Sequence, residues 1–156
     1  MKSMRRCRRR WRPAMDNGLN ILGIARKAGK LEFGEEPVGA AARAKHARLL
    51  IVASDAAENT KRRAAHFSEG CKAPVVEADF TKEELGRVTG RGSCALAAVC
   101  DPGLAHLFAR EMAGKYPETY SAVAEELRLR AERAEQRRRE KRAHEKNRRL
   151  GKKRGG

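Results

Sequence analysis

The chain has 156 residues, 40% of them hydrophobic and 36% charged, and its formal net charge is +16. That length suits one domain with appendages, and nearly all the apolar runs lie between Leu19 and Met112. No run approaches the ~20 apolar residues of a membrane-spanning helix, and no apolar segment follows the basic N-terminus as it would in a secretory signal.

Met1–Ala14 holds seven Lys+Arg, no acid and no periodicity, the composition of a disordered basic extension. Met15, at the edge of the periodic region, is an alternative start to Met1. Leu19, Ile21, Leu22, Ile24 and Ala25 form the apolar face of a first helix, with Asp16 or Asn17 as cap and Gly29 as stop. Lys30–Phe33 reads as a short strand. Gly34 opens a second helix, Glu35 to about Lys45. Its first turn carries Glu35, Glu36 and Pro37, which suit a helix end with a positive dipole and unpaired N–H groups. Leu49–Ala53 is an unbroken apolar run too short for a helix, and so a strand buried on both faces. Asp55, with Glu58 three residues on, forms a capping-box pattern that predicts a third helix running to Gly70. Pro74–Glu77 is the next strand. Thr81 and Glu84 repeat the capping pattern, and Gly90 ends that helix. Ala95–Cys100 is the last strand, and Asp101-Pro102 starts a helix through Leu104, Leu107, Phe108 and Met112.

This alternation predicts an α/β fold over residues 15–117: a three-layer α/β/α sandwich on a small four-stranded mixed sheet, with Tyr116-Pro117 as the boundary. Beyond it, Glu118–Gly156 carries 14 Lys+Arg against 7 Asp+Glu. Val123, Leu127 and Ala131 offer a weak apolar stripe. Glu126 with Arg130, Glu135 with Arg139 and Glu145 with Arg149 are favourable i,i+4 pairs. Residues 118–156 therefore read as a basic helical or disordered tail, and residues 1–14 and 118–156 hold most of the charge.

No catalytic constellation emerges. His46, His66, His106 and His144 are scattered, no Ser sits in a G-x-S-x-G frame, and Gly90-Arg91-Gly92 precedes a strand, whereas a phosphate loop precedes a helix. Glu35 and Glu36 are adjacent on a helix and point apart. Cys7, Cys71, Cys94 and Cys100 include no C-x-x-C pair, so cytosolic thiols are expected rather than a zinc site or disulfides. No enzyme activity, cofactor, metal or small-molecule substrate is expected. The charge points to a polyanion. Lys27, Lys30, Lys61, Arg62 and Arg87 are candidate phosphate contacts, and a run such as Arg137–Arg142 gains affinity by counterion release. The tails lack the apolar face of an interfacial helix, so a membrane partner is not expected.

Three stretches carry a family resemblance: Ala25-Arg26-Lys27-Ala28-Gly29-Lys30-Leu31-Glu32-Phe33-Gly34; Ala47-Arg48-Leu49-Leu50-Ile51-Val52-Ala53-Ser54-Asp55; and Glu84-Leu85-Gly86-Arg87-Val88-Thr89-Gly90 with the strand Ala95–Val99. In this order they resemble the kink-turn-binding ribosomal proteins of the large subunit, the L7Ae/L30e type, on its bacterial ribosomal-like branch. The resemblance covers roughly Asn17 to Met112. It implies an α/β/α sandwich that binds a sharply bent RNA internal loop, with a G-x-N-E turn at the start of the second helix reading tandem G·A pairs. Here that turn is Gly34-Glu35-Glu36-Pro37: Glu36 stands at the Asn position, Pro37 at the Glu position, and Ala40 where the family has Lys. A carboxylate cannot donate as an amide does, so donors at this turn must be helix N–H groups.

The loop Gly90-Arg91-Gly92-Ser93-Cys94 stands where many members pack an apolar loop on a flipped-out base. Arg91 there can stack or meet phosphate, and its glycines admit close backbone approach. Asp55 and Asn59 are first of all helix-capping residues. The implied RNA-binding set is Lys27, Lys30, Gly34, Glu35, Glu36, Asn59, Lys61, Arg62, Arg87, Arg91, Gly92 and Ser93. The resulting expectation is a cytoplasmic, non-catalytic, ribosomal-protein-like protein that recognises structured, kink-turn-like RNA, with ribosomal RNA or the ribosome as partner. The alternative is a ribosome-assembly or translation-factor-associated module whose RNA contact comes only from its basic tails.

Overall fold

The computed structural model describes residues 17–155. The extension assigned to residues 1–14, Met15 and the Asp16 cap lie outside the described residues. Helix α1 (Asn17–Lys27) turns Ile21, Leu22 and Ala25 inward. It ends in a Schellman closure: the Lys30 N–H donates to the Ala25 carbonyl (2.8 Å) and the Gly29 N–H to that of Arg26 (3.0 Å). Gly29 sits at φ 74°, a left-handed value that suits glycine.

Four strands follow: β1 (Leu31–Phe33), β2 (Leu49–Val52), β3 (Val75–Glu77) and β4 (Leu96–Val99), in the sheet order β1-β4-β2-β3. β4 runs antiparallel to both β1 and β2, whereas β3 is parallel to β2. Every residue of β2 and β4 is buried, as their unbroken apolar sequences require of central strands, and β3, on the edge, buries only Val76. Helices α2 (Glu35–Arg43) and α3 (Glu58–Cys71) pack together on one face of the sheet. Helices α1, α4 (Lys82–Thr89) and α5 (Pro102–Lys115) cover the other, so the mixed sheet is the middle layer of a three-layer sandwich.

Two of the caps read from sequence form as expected. Thr81 and Glu84 make a reciprocal capping box on α4, and the Asp101 carboxylate accepts from the Leu104 N–H (2.9 Å) on α5. Asp55 does otherwise. Helix α3 starts at Glu58 behind Ala57 with no side-chain cap, and Asp55 Oδ1 accepts from the Lys82 N–H (2.8 Å) at the start of α4. The cause is the path of the chain after β2. The Ala56 N–H turns back to the Ala53 carbonyl, and the Ser54 N–H donates to the Phe80 carbonyl (2.8 Å), which holds the segment against the entry to α4. α3 also passes Gly70 and ends with Lys72 at φ 59°.

The last element, α6 (Pro117–Gly155), is one helix of 39 residues. Its first turns belong to the core: Tyr120 and Leu127 are each 1% exposed. The Phe108 ring meets those of Phe80 and Tyr120 edge-on, at 6.3 Å each. Arg130 then donates to the Lys72 carbonyl (2.8 Å) and pairs with Glu126, tying the helix to the end of α3. Among the described residues, no helix is long and apolar enough to cross a membrane.

The Tyr120 hydroxyl is buried without a hydrogen-bond partner, and its burial pushes its ionisation far upward. Removing an unpaired buried polar atom is neutral or favourable, whereas deleting a buried ring costs about 3–5 kcal/mol. Urea denaturation is expected to show Tyr120→Phe as stable as the parent chain or more so, and Tyr120→Ala destabilised on that scale.

Candidate nucleic-acid interface

The strand polarity gathers four loops at one end of the sheet: Gly34 after β1, Ala53–Ala57 after β2, Ala78–Thr81 after β3 and Gly90–Ala95 before β4. Gly34 caps α2 at φ 96°, ψ 155°, a combination that glycine alone adopts readily. Its N–H donates to the Leu96 carbonyl (2.9 Å), extending the β1–β4 ladder, and its carbonyl accepts from Val38 (3.1 Å). Pro37 has no N–H, so the first turn of α2 offers the amides of Glu35 and Glu36, neither of which has an intrahelical acceptor.

The two carboxylates of this turn behave differently. Glu35 is drawn toward α3: Thr60 Oγ1 donates to its Oε2 (3.3 Å), and Arg63 Nη1 lies 3.5 Å from its Oε1. Thr60 is buried, and Glu35 thereby joins the α2–α3 interface with its charge countered. Glu36 is exposed. Asn59 and Arg62 stand exposed on the first turns of α3, while Lys61 turns to Glu77 on β3 (3.4 Å).

The second wall is the loop after α4. The Arg91 guanidinium lies 4.9 Å from the centroid of the Phe33 ring, a cation–π contact that places it beside Gly34. The loop is held low by close packing on α4. A Cβ on Gly86 would stand 2.7 Å from the Gly92 carbonyl and the Ser93 nitrogen, and the Arg91 N–H donates to the Gly86 carbonyl (2.8 Å). Cys94 is buried, its N–H bonded to the Lys82 carbonyl (2.9 Å) and its thiol to that of Leu96 (3.3 Å). Burial pushes that thiol up, outweighing its hydrogen bonds and the nearby Arg91 charge. Gly92 and Ser93 are exposed at the tip.

Arg26 joins this wall from α1, its guanidinium 2.9 Å from where a Cβ on Gly90 would stand. Arg26, Thr60 and Arg63 all fall outside the residue set read from sequence. Arg26 lies inside the stretch Ala25–Gly34 that carries the family resemblance, but nothing local in the sequence shows that it reaches Gly90. Arg87 and Lys27 are exposed on the flanking helices. Lys30 is set apart: it precedes β1, about 13 Å of extended chain from Gly34, and lies with Arg48 and Cys100 at the opposite end of the sheet. The structure thus brings Gly34, Glu35, Arg91, Gly92 and Ser93 together and leaves Lys30 away from them. Among the described residues, no three His, Cys, Asp or Glu side chains converge to hold a metal ion.

The chain matches the Ribosomal protein L7Ae/L30e/S12e/Gadd45 family over residues 16–108. It is 37% identical over 73 residues to RNA-binding protein YlxQ of Enterococcus faecium, a span covering 47% of this chain and 70% of that one. It is 30% identical over 86 residues to RNA-binding protein YlxQ of Bacillus subtilis (strain 168), covering 55% of this chain and 85% of that one. Among solved structures, a protein of unknown function from Bacillus halodurans C superposes with a TM-score of 0.56 at 29% identity, over 61% of this chain and 95% of that one. The Giardia lamblia 15.5kD RNA binding protein shares the fold with a TM-score of 0.50 at 21% identity, over 67% of this chain and 85% of its own.

The Gly86 contact is the one that seats the Arg91 loop. A methyl group there must push backbone, so Gly86→Ala is expected to cost about 1–3 kcal/mol in urea denaturation. Gly92→Ala, which meets nothing within 4 Å, is expected to stay within about 0.5 kcal/mol of the parent.

Proposed function

Because the chain belongs to the Ribosomal protein L7Ae/L30e/S12e/Gadd45 family, we propose that it is a non-catalytic, cytoplasmic RNA-binding protein that recognises structured, kink-turn-like RNA, with ribosomal RNA as its partner. The observation that carries this reading is the apposition of the Gly34 turn and the Arg91 loop across Phe33. A bent internal loop presents crowded phosphates and unstacked base edges. Arg91, fixed over an aromatic ring, meets such a loop with little side-chain freedom left to lose.

The amides of Glu35 and Glu36 face it as donors for phosphate or base acceptors. Glu36, exposed at the position where the resemblance expects Asn, accepts only, so it suits an exocyclic amino group. Arg26, Arg87, Asn59 and Arg62 flank the turn and supply backbone contacts, which position the RNA rather than read it.

Fluorescence anisotropy with the full chain tests this. A kink-turn RNA is expected to bind at least ~10-fold tighter than the same RNA with its tandem G·A pairs replaced by Watson–Crick pairs, and Arg91→Ala is expected to cost about 1–3 kcal/mol of that affinity. Equal binding of the two RNAs would sink the kink-turn reading. A second expectation concerns Glu36. Glu36→Asn removes a negative charge beside phosphate and restores a donor, so the kink-turn RNA should bind several-fold tighter. Unchanged or weaker binding would mean that Glu36 itself makes a productive contact.

A further inference from the structure

The far end of the sheet carries a second concentration of charge. There β1 and β2 begin, β4 ends, and α6 crosses below them. Arg48 enters β2 with its N–H bonded to the Val99 carbonyl (2.8 Å), and its side chain is shared by two clefts between the strand ends and α6 and by a third, beside α2, that Lys30 and Glu32 also line. Its Nε is buried and has no hydrogen-bond partner, although guanidinium donors in such a place are ordinarily satisfied. Lys30 stands beside it.

Across the cleft, α6 contributes Arg133, Arg137 and Lys141. At spacings of four residues they fall on one helical face, in line at intervals of ~6 Å, the scale of successive phosphates along a strand.

The pattern of ion pairs singles out the same residues. Glu135 gathers Arg138, Arg139 and Arg142, while Glu125 and Glu132 gather Arg128. Among the described residues, no hydrogen bond or ion pair claims the side chains of Lys30, Arg48, Arg133, Arg137 or Lys141. Among the described residues, the carboxylate lining the two clefts that Arg48 shares with α6 is Asp101, already engaged with the Leu104 N–H, and Glu132, which lines a further cleft with Arg133 and Arg137, is paired with Arg128. Like charges lining one cleft repel, and an anion between them offsets that repulsion.

We propose that this groove, with Arg48 as its floor, Lys30 at its edge and Arg133, Arg137 and Lys141 as its wall, is a second RNA-backbone site that holds phosphates of the RNA arm flanking the segment bound at the Gly34 turn. The proposal rests on the RNA-binding reading above. It adds that the protein grips RNA at both ends of its sheet, through phosphates and without reading sequence.

The test uses the full chain and a kink-turn RNA in two forms, one with a long flanking helix and one with that helix trimmed to the motif. Affinity is measured against salt for the parent, for the groove triple Arg133→Gln/Arg137→Gln/Lys141→Gln, and for a control triple farther along α6, Arg142→Gln/Lys146→Gln/Arg149→Gln. With the long-armed RNA, the groove triple is expected to lose at least ~10-fold in affinity and to flatten the log–log salt slope by about 2–3, one unit per lost phosphate contact. The control triple should change the slope by less than one, and neither triple should alter binding of the trimmed RNA.

Arg48→Lys keeps the charge but removes Nε, and is expected to weaken only the long-armed RNA. Equal losses from the two triples, or a groove triple that behaves as the parent, overturns the groove. So does loss of binding to anionic phospholipid vesicles with RNA binding unchanged, because the occupant is then not RNA. If the groove triple behaves as the parent while Arg91→Ala weakens both RNAs, the groove fails and the Gly34 site stands. If G·A-less RNA binds as well as the kink-turn while the groove triple still flattens the slope, the kink-turn reading fails and the groove stands.

Discussion

The direction of β4 is the constraint on which the rest of the molecule depends. It runs against both neighbours, while β3 runs with β2, so three strands end where the fourth begins. Backbone hydrogen bonds beyond the strands hold that arrangement at both ends. Above, the Gly34 N–H meets the Leu96 carbonyl and the Ala53 N–H meets that of Ala95 (2.9 Å each). Below, the Arg48 N–H meets Val99 and the Cys100 N–H meets Lys30 (2.8 Å each). Buried backbone donors and acceptors must find partners, and these four bonds leave β4 no alternative direction. Were β4 reversed, the Arg91 loop would lie beside Arg48, and the Gly34 turn would face nothing.

What was legible in the sequence was what local chemistry decides. Leu49–Val52 reads as a central strand because nothing polar interrupts it. Thr81 with Glu84, Asp101 with Pro102, and the glycines at 29, 34 and 90 declare helix ends through interactions that span a few residues. Asp55 shows where that logic stops. Its spacing from Glu58 is that of a capping box, yet the carboxylate serves the start of α4, because the loop after β2 is held there by Ser54 and Phe80. The same limit applied at the interface. Thr60 and Arg63 meet Glu35, Arg26 meets Gly90, and Lys30 parts from Gly34, each for reasons set by sheet direction and helix packing. Lys30 is four residues from Gly34 in sequence, and the extended strand between them puts the two at opposite ends of the sheet.

The Gly34 turn also has a different electrostatic character from the one its letters suggest. Read as a string, Gly34-Glu35-Glu36-Pro37 has two carboxylates where RNA is expected to approach. In the fold, Glu35 is paired with Thr60 and Arg63, and Glu36 is the more exposed of the two. Pro37 removes a donor that the first turn of a helix would have left unpaired, so α2 loses no intrahelical bond by it. The backbone of the turn depends on Gly34 and its bond to Leu96, not on the altered side chains. Its shape therefore survives the substitutions, and what changes is side-chain chemistry: Glu36 where the resemblance expects an amide, Pro37 where it expects a carboxylate and Ala40 where it expects a cation.

Composition sets residues 118–156 apart as a basic tail, but a helix that buries Tyr120 and Leu127 and bonds the Lys72 carbonyl through Arg130 has its direction set by the core. This matters for how its charge acts. A disordered basic segment gains affinity through counterion release but loses conformational freedom when it settles on RNA. Where α6 passes the strand ends, its cations are already placed by folding, so much of that ordering cost has been met before any ligand arrives. Two buried side chains, with the partly buried Val123 and Ala124 between them, convert a stretch of diffuse charge into an oriented surface. Among the described residues of the same helix beyond Lys141 no side chain is buried, and Arg142, Lys146 and Arg149 there differ from the groove cations in placement rather than in kind.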